Sequence, residues 1–293
     1  MEVSNKLLLG IILTFIVGSF FSVQYAFLDA TQLENITITT NVTGSVSGDF
    51  YFDVASGKVA GYSSINKFGH NPSATAGDDV WSGGGVYDFF PTSAQAIDVH
   101  STDNNDAVGD TGARTLLVYG LNESWHEVTE YVNLNGTTPV LLHNTYRRMY
   151  RSVILTAGSF ETNEGNILFE VVGTSDVALH ISASDGQTQT TIYTIPKGKG
   201  GYFIKGYVGI ADDDKNGEVA EFQWQARGNN GVTGAWAVKG EMGLNNIGSS
   251  NWQYEYGVPA GMLPEKTDIR IRVIDATTTL GVVGGYDLVL VDI

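Results

Sequence analysis

The chain has 293 residues, a formal net charge of −16, 36 glycines and no cysteine, and 42% of its residues are apolar. This length allows one large domain or two smaller ones, and the apolar content argues against a disordered chain. The absence of cysteine excludes a disulfide framework, a catalytic thiolate and cysteine-bound zinc, and the acidic balance without a basic tail argues against a nucleic-acid partner.

The first predicted element is an apolar helix over residues 7–28, with the sequence LLLGIILTFIVGSFFSVQYAFL. It contains no charged residue, and about 22 helical residues extend roughly 33 Å, enough to cross a bilayer core of about 30 Å. Lys6 precedes the segment and Asp29 follows it, so the positive-inside rule puts the amino end inside and the rest of the chain outside the membrane. The apolar residues expected to hold this anchor in lipid include Leu7, Ile11, Phe15, Val17, Phe20 and Phe21.

A cleaved signal peptide is the alternative interpretation of the same segment. The apolar run is longer than the usual core of a signal peptide, and Glu2 offsets the positive charge of Lys6. Ala30 is a poor cleavage position because Leu28 stands two residues before it, where a small residue is expected. We therefore predict a retained membrane anchor over residues 1–29. Both interpretations place the rest of the chain across or beyond a membrane.

The chain after residue 29 predicts β-strands. Apolar and polar residues alternate in several segments, which puts one face of each segment on a core and the other in water. The last segment, YDLVLVDI over 286–293, is apolar on both faces and predicts a central, covered strand. The alternating segments lie at residues 36–42, 220–227, 252–258 and 269–273.

Tight turns separate the predicted strands. Asn-Gly or Asp-Gly pairs supply the positive φ values that hairpins require, and strands at such short intervals favour a β-sandwich or jelly roll. We therefore predict an all-β fold of jelly-roll or β-sandwich modules, preceded by the membrane helix. Two modules are expected, over residues 30–172 and 173–293, and one extended jelly roll is the alternative. The glycine turns lie at 135–136, 185–186, 216–217 and 230–231.

An acidic loop resembles the start of a calcium-binding loop. Asp212, Asp214 and Asn216 place oxygen atoms at alternate positions before a glycine, as calcium loops do. The pattern then fails, because position 12 of the loop is Gln223 rather than glutamate. A solvated hairpin tip is the alternative. The sequence thus predicts at most a weak calcium site, formed by Asp212, Asp214, Asn216 and Glu218, and no other cofactor.

No catalytic motif stands out in this sequence. The histidines lack the spacing of a zinc site, and there is no GxSxG, Walker A or GxGxxG motif in a strand–helix context. Carboxylates are abundant, but nothing selects a pair of them as an acid and a base. We therefore predict that the protein is not an enzyme. The five histidines are His70, His100, His126, His143 and His180.

Arg147, Arg148 and Arg151 form the one basic cluster in the sequence. On a strand, Arg147 and Arg151 share a face and Arg148 points the other way. In so acidic a chain these arginines are candidates for contact with carboxylates of a neighbouring subunit. Pairing within the chain is the alternative, and the sequence leaves both open.

Several long blocks, in this order, resemble a family of uncharacterised virion structural proteins of marine tailed phages and environmental viruses. The resemblance covers about residues 65–293 and supplies no catalytic residues. It implies a virion component whose partners are other virion proteins and further copies of itself. The blocks are INKFGHNP (65–72), the segment 78–122 that contains GARTLLVYGLN, EVTEYVNLNGTTPV (127–140), YRRMYRSVILTAGS (146–159), GQTQTTIYTIPKGKGGYFI (186–204) and GMLPEKTDIRIRV (261–273).

The predicted anchor departs from this family, whose members generally lack a membrane segment. An anchored member implies a virus with a lipid layer, or a cell-surface protein built from a viral module. In the first case the chain would be a minor capsid protein, a membrane–capsid linker or a spike base, located in the virion with its β region outside the bilayer.

A glycan- or receptor-binding surface module is the alternative function. Exposed aromatic rings stack on sugars, whereas rings on an alternating apolar face usually pack in a core. The candidate rings are those of Trp81, Tyr87, Trp236 and Trp252.

Overall fold

The described part of the chain comprises most of the β region. The predicted anchor over residues 1–29 lies outside it. Within it, no helix has the length and apolar character needed to cross a bilayer. The computed structural model describes residues 49–211, 217–228, 234–245, 251–255 and 261–293.

One short helix and fifteen strands make up the secondary structure of the described residues, which confirms the prediction of an all-β fold. Helix α1, Phe50–Ala55, begins where the Asp49 carboxylate accepts hydrogen bonds from backbone N–H groups of the first turn. The strands are β1 (Tyr62–Ala74), β2 (Gln95–Ser101), β3 (Ala113–Leu121), β4 (Glu127–Asn133), β5 (Val140–Tyr146), β6 (Arg148–Ala157), β7 (Ile167–Val171), β8 (Val177–Ile181), β9 (Tyr193–Thr194), β10 (Lys199–Ile210), β11 (Val219–Arg227), β12 (Ala237–Asn245), β13 (Asn251–Glu255), β14 (Asp268–Ala276) and β15 (Leu280–Asp292).

The strands form four antiparallel sheets. Sheet 1 has the order β1-β15-β10-β13, and sheet 2 has the order β12-β11-β14-β9. Sheet 3 has the order β5-β2-β7-β8, and sheet 4 has the order β4-β3-β6. The predicted central strand at the carboxyl end is part of β15, which lies between β1 and β10.

Two hydrophobic cores define two β-sandwiches. The first core takes buried residues from sheets 1 and 2, such as Tyr286 of β15 and Phe222 of β11. The second core takes them from sheets 3 and 4, such as Phe169 of β7 and Leu116 of β3. Each sheet turns an apolar face inward, as the alternation of residues along a strand requires.

The chain enters the first sandwich, leaves it and returns. Strand β1 belongs to sheet 1 and pairs with β15 from Tyr62↔Val291 onward. Strands β2–β8 then build the second sandwich, and β9–β15 complete the first. The module boundary expected at residues 173–176 falls in the turn between β7 and β8, which pair within sheet 3.

The predicted glycine turns have the expected backbone conformation where they are described. Gly136 has φ of 60° and lies between β4 and β5. Gly186 has φ of 72° and follows β8. A residue with a Cβ atom is strained at such φ values, so these positions favour glycine.

Candidate functional site

A cluster of buried charges lies where the two sandwiches meet. We call it the junction cluster, and its carboxylates belong to two aspartates that are fully buried. It consists of Asp79, Arg148, Arg227, Asp268, Arg270 and Arg272.

Asp268 connects the two sandwiches. It opens β14 of sheet 2, and its carboxylate accepts two hydrogen bonds from Arg148, the first residue of β6 in sheet 4. Arg148 Nε lies 2.9 Å from Oδ1 of Asp268 and Arg148 Nη2 lies 3.1 Å from Oδ2. Arg227 Nε donates to Oδ2 at 3.2 Å, and the Thr194 hydroxyl donates to Oδ1 at 2.7 Å. This carboxylate is therefore fully hydrogen-bonded despite its burial.

Asp79 forms the second half of the junction cluster. Its Oδ2 accepts a hydrogen bond from Arg270 Nη1 at 3.3 Å and one from the backbone N–H of Tyr87 at 2.9 Å. Arg272 Nη1 lies 3.9 Å from Oδ1. Burial raises the pKa of Asp79 to about 6, although Arg270 and the Tyr87 N–H act in the opposite direction.

Aromatic rings cover the arginines of the junction cluster. The guanidinium carbon of Arg227 lies 4.2 Å from the ring centre of Phe90 and 4.4 Å from that of Trp236. The guanidinium of Arg270 lies 4.0 Å from the Trp236 ring, and that of Arg148 lies 4.9 Å from the Trp125 ring. These ring faces attract cations, so they offset the excess of arginine over aspartate in the cluster.

The three arginines predicted as a contact patch all have partners within the chain. Arg148 belongs to the junction cluster, and its side chain is only 4% exposed. Arg147 Nη1 donates to Glu123 Oε1 at 2.7 Å, and Arg151 Nη2 donates to the carbonyl oxygen of Asn66 at 2.7 Å. The structure therefore shows the pairing within the chain that the sequence left open. Contact with a neighbouring subunit stays a prediction for Arg147 and Arg151.

The predicted calcium loop lies mostly outside the described residues, which do not include Asp212, Asp214 and Asn216. Glu218 is described and buried, and its Oε1 accepts a hydrogen bond from the Thr278 hydroxyl at 2.9 Å. The calcium site stays a prediction.

The four candidate sugar-stacking rings differ in their surroundings. Trp81 and Tyr87 are buried and pack edge to face, with ring centres 5.1 Å apart. Trp236 is partly exposed and stacks on arginines of the junction cluster. The side chain of Trp252 lies outside the described part of the structure. Core packing thus accounts for the first two rings.

A group of metal-binding side chain types lies on the outer face of sheet 3. Asp98 and His100 of β2 and Glu170 of β7 bring one carboxylate or imidazole donor atom each to within 4.8 Å of one another. Sequence reasoning missed this group. The Asp-x-His pattern on a strand is a signal for two of its members, since alternate residues share a face. The third, Glu170, is distant in the sequence and lies on β7, which pairs with β2.

An apolar row crosses the outer face of sheet 4. Tyr131 of β4 pairs with Leu117 of β3, which pairs with Val153 of β6, so the three side chains share that face. The Tyr131 side chain is 72% exposed, and Leu155, further along β6, is 44% exposed. Leu117 and Val153 are only partly exposed. Large contiguous apolar patches mark surfaces that meet another protein, whereas single exposed apolar residues are common.

No protein-family model matches the chain, and a search of curated proteins finds no similar sequence. Among solved structures, a chain from infectious bursal disease virus strain Gx is 10% identical, with 79% of this chain and 70% of that chain covered and a TM-score of 0.23. A chain from the VP2 subviral particle of the same virus is 12% identical, with 78% and 79% covered and a TM-score of 0.13. These scores are too low to establish a shared fold, so the proposed function rests on other observations.

Replacement of Asp268 by alanine is expected to lower the free energy of unfolding by about 3–5 kcal/mol, because Arg148 and Arg227 then keep buried charges without a carboxylate. The matched control is Asp292→Ala, which removes the exposed partner of Lys199 and is expected to cost about 0–1 kcal/mol. Denaturant unfolding of the full-length variants measures both. Equal losses would contradict the central place of Asp268.

Stability should also depend on pH through Asp79. Its pKa is about 6 in the folded protein and near 4 in the unfolded chain, so between these values the folded protein holds a proton that the unfolded chain has released. The free energy of unfolding therefore falls as pH rises through this window. An Asp79→Asn variant lacks this titration, so the unfolding free energy of the wild type should fall relative to the variant by up to about 3 kcal/mol between pH 4 and 7. A difference between the two proteins that stays constant with pH would contradict this.

Proposed function

We propose that this chain is a virion structural protein that acts through contacts between subunits. In this proposal residues 7–28 hold it in a lipid bilayer, and the two β-sandwiches lie outside that bilayer, against other shell proteins. A minor capsid protein, a membrane–capsid linker and a spike base all meet this description.

The observation that carries the proposal is that the sequence blocks of the family resemblance meet at one place in the fold. Asp79 and Phe90 belong to the block 78–122, Arg148 to the block 146–159, and Asp268 and Arg270 to the block 261–273. These separate blocks supply five of the six residues of the junction cluster, all except Arg227, and the Phe90 ring packs against Arg148. Residues of these blocks therefore join the two sandwiches, which supports a structural role for the resembling segments.

Rigidity is the mechanical consequence of this arrangement. The bidentate bond between Arg148 and Asp268 fixes the orientation of one sandwich relative to the other, because a planar guanidinium donates two parallel N–H bonds to a carboxylate in one geometry. Lys67 of β1 adds a second buried link, since its Nζ donates to the carbonyl oxygen of Tyr150 in β6. A rigid subunit loses little conformational entropy on assembly.

The apolar row of sheet 4 is the surface that we assign to contact with a second copy of the chain. The chain is strongly acidic, so electrostatic interaction alone makes two copies repel each other. Burial of apolar side chains such as Tyr131 and Leu155 is the attractive contribution that this face offers.

The alternative, a glycan- or receptor-binding module, would draw on Trp236. Trp81 and Tyr87 are buried and do not present a ring to a sugar. Arg227 and Arg270 already stack on the Trp236 ring, which leaves less of it for a ligand. This arrangement favours the structural role.

Peptide mapping of purified particles of the virus that encodes the chain tests the proposal. Chymotrypsin is suited to the work, because no lysine or arginine lies between Lys6 and Lys58. We expect peptides from 49–293 at a fixed ratio to the major shell protein, and peptides from 7–28 in the detergent extract. Particles without the β region would overturn the virion role. A mature chain that begins near residue 30 would replace the anchor by a signal peptide.

The contact surface has its own test. Tyr131→Ser combined with Leu155→Ser should weaken self-association of the full chain by at least about tenfold, because two exposed apolar side chains leave the contact. The matched control is Val238→Ser on β12, where an aliphatic side chain is 50% exposed in the other sandwich. Sedimentation velocity measures association, and circular dichroism checks the fold. Unchanged association in the double variant would exclude this face.

A further inference from the structure

The group on the outer face of sheet 3 is positioned by two neighbouring central strands. Ile97 and Val99 of β2 point into the second core, so Asp98 and His100, which alternate with them, lie on the opposite face. Glu170 of β7 pairs directly with Asp98 and therefore shares this face. Strands β2 and β7 are hydrogen-bonded neighbours in the middle of the sheet, so hydrogen bonds to adjacent strands hold the backbone of the three residues in position.

The imidazole of His100 has a nitrogen that lacks a partner. Its Nδ1 is shielded from solvent and makes no hydrogen bond. The nearest Glu170 carboxylate oxygen, Oε2, lies 3.8 Å from it, which is too long for a hydrogen bond. Burial of a polar atom without a partner is unfavourable, so this nitrogen requires an occupant of the gap or a proton that turns the contact into an ion pair.

We infer that Asp98, His100 and Glu170 bind a divalent zinc ion. Zinc binds imidazole nitrogen and carboxylate oxygen at about 2.0–2.2 Å, so two donors on one ion lie at most about 4 Å apart. The 3.8 Å gap between His100 and Glu170 fits an ion between them after a small inward movement. Two carboxylates and a neutral imidazole balance the charge of the ion, and water completes a tetrahedral set.

The imidazole donor selects zinc over the hard cations. Calcium takes six to eight oxygen ligands and magnesium prefers an octahedral set rich in water, whereas imidazole suits zinc, copper, iron and nickel. This site is separate from the predicted calcium loop, because none of its ligands lies in residues 212–218. It is also independent of the proposed virion role, since the bound ion would tie β2 to β7 in any setting.

A protonated His100 paired with Glu170 is the competing explanation for the same geometry. It requires no metal and leaves Asp98 without a role. The two explanations differ in one measurable respect, because the ion pair alone confers no affinity for zinc.

Titration of the chelator-treated full chain with zinc chloride by calorimetry is the test. We expect one ion per chain and a higher melting temperature in its presence. His100→Ala should weaken zinc binding by at least about 100-fold, since loss of residues that only support metal ligands already costs about 10–100-fold. Asp98→Asn, which keeps the side chain volume, should weaken binding in the same direction.

The matched control is His143→Ala, which removes an exposed histidine from β5 of the same sheet. This variant should bind zinc like the wild type. Cobalt added in place of zinc should give a visible absorption band in the wild type and the control that His100→Ala lacks. Absence of zinc uptake by the wild type, or equal affinity in His100→Ala, would overturn the site.

Discussion

The bidentate hydrogen bond between Arg148 and Asp268 is the interaction on which the rest of the structure depends. It joins the two β-sandwiches at a place where Leu121 and Tyr150 of sheet 4 also pack in the first core. The side chains of Arg148 and Asp268 are almost fully buried, so the pair is not weakened by water or salt. Such a pair adds little net stability over an apolar contact, but it specifies one arrangement, because any other leaves buried charges unpaired.

The buried charges of both signs leave the surface of the protein acidic. The chain has 16 basic and 32 acidic residues, and four of the arginines belong to the junction cluster. Five acidic residues are buried as well, namely Asp53, Asp79, Asp106, Glu218 and Asp268, so the surface keeps the acidic character of the composition. Charge therefore opposes contact between copies of the chain. The apolar row of sheet 4 and the proposed zinc ligands of sheet 3 lie on outer faces of the same sandwich.

Local patterns explain what was predictable about the site. Arg148 was singled out because three arginines stand close together, but its partner Asp268 is 120 residues away. His100 and Asp98 share a strand face by simple alternation, whereas Glu170 reaches them only through the pairing of β2 with β7. The sequence favours core packing for Trp81 and Tyr87, but only the fold identifies the second core that contains them. In each case the decisive contact joins residues that are far apart in the sequence, and no local sequence pattern identifies such a contact.

The sequence by itself determined the all-β class, the strand-like alternation of segments such as 220–227 and the glycine turns, because these follow from the preferences of neighbouring residues. It also indicated an apolar amino-terminal segment by composition alone. Only the tertiary structure decided that β1 pairs with β15 and that a whole sandwich lies between β1 and β9 in the chain. Pairing between strands that are distant in the sequence depends on which apolar faces pack against each other. The alternation of apolar and polar residues identifies the buried face of a strand but not the strand that pairs with it.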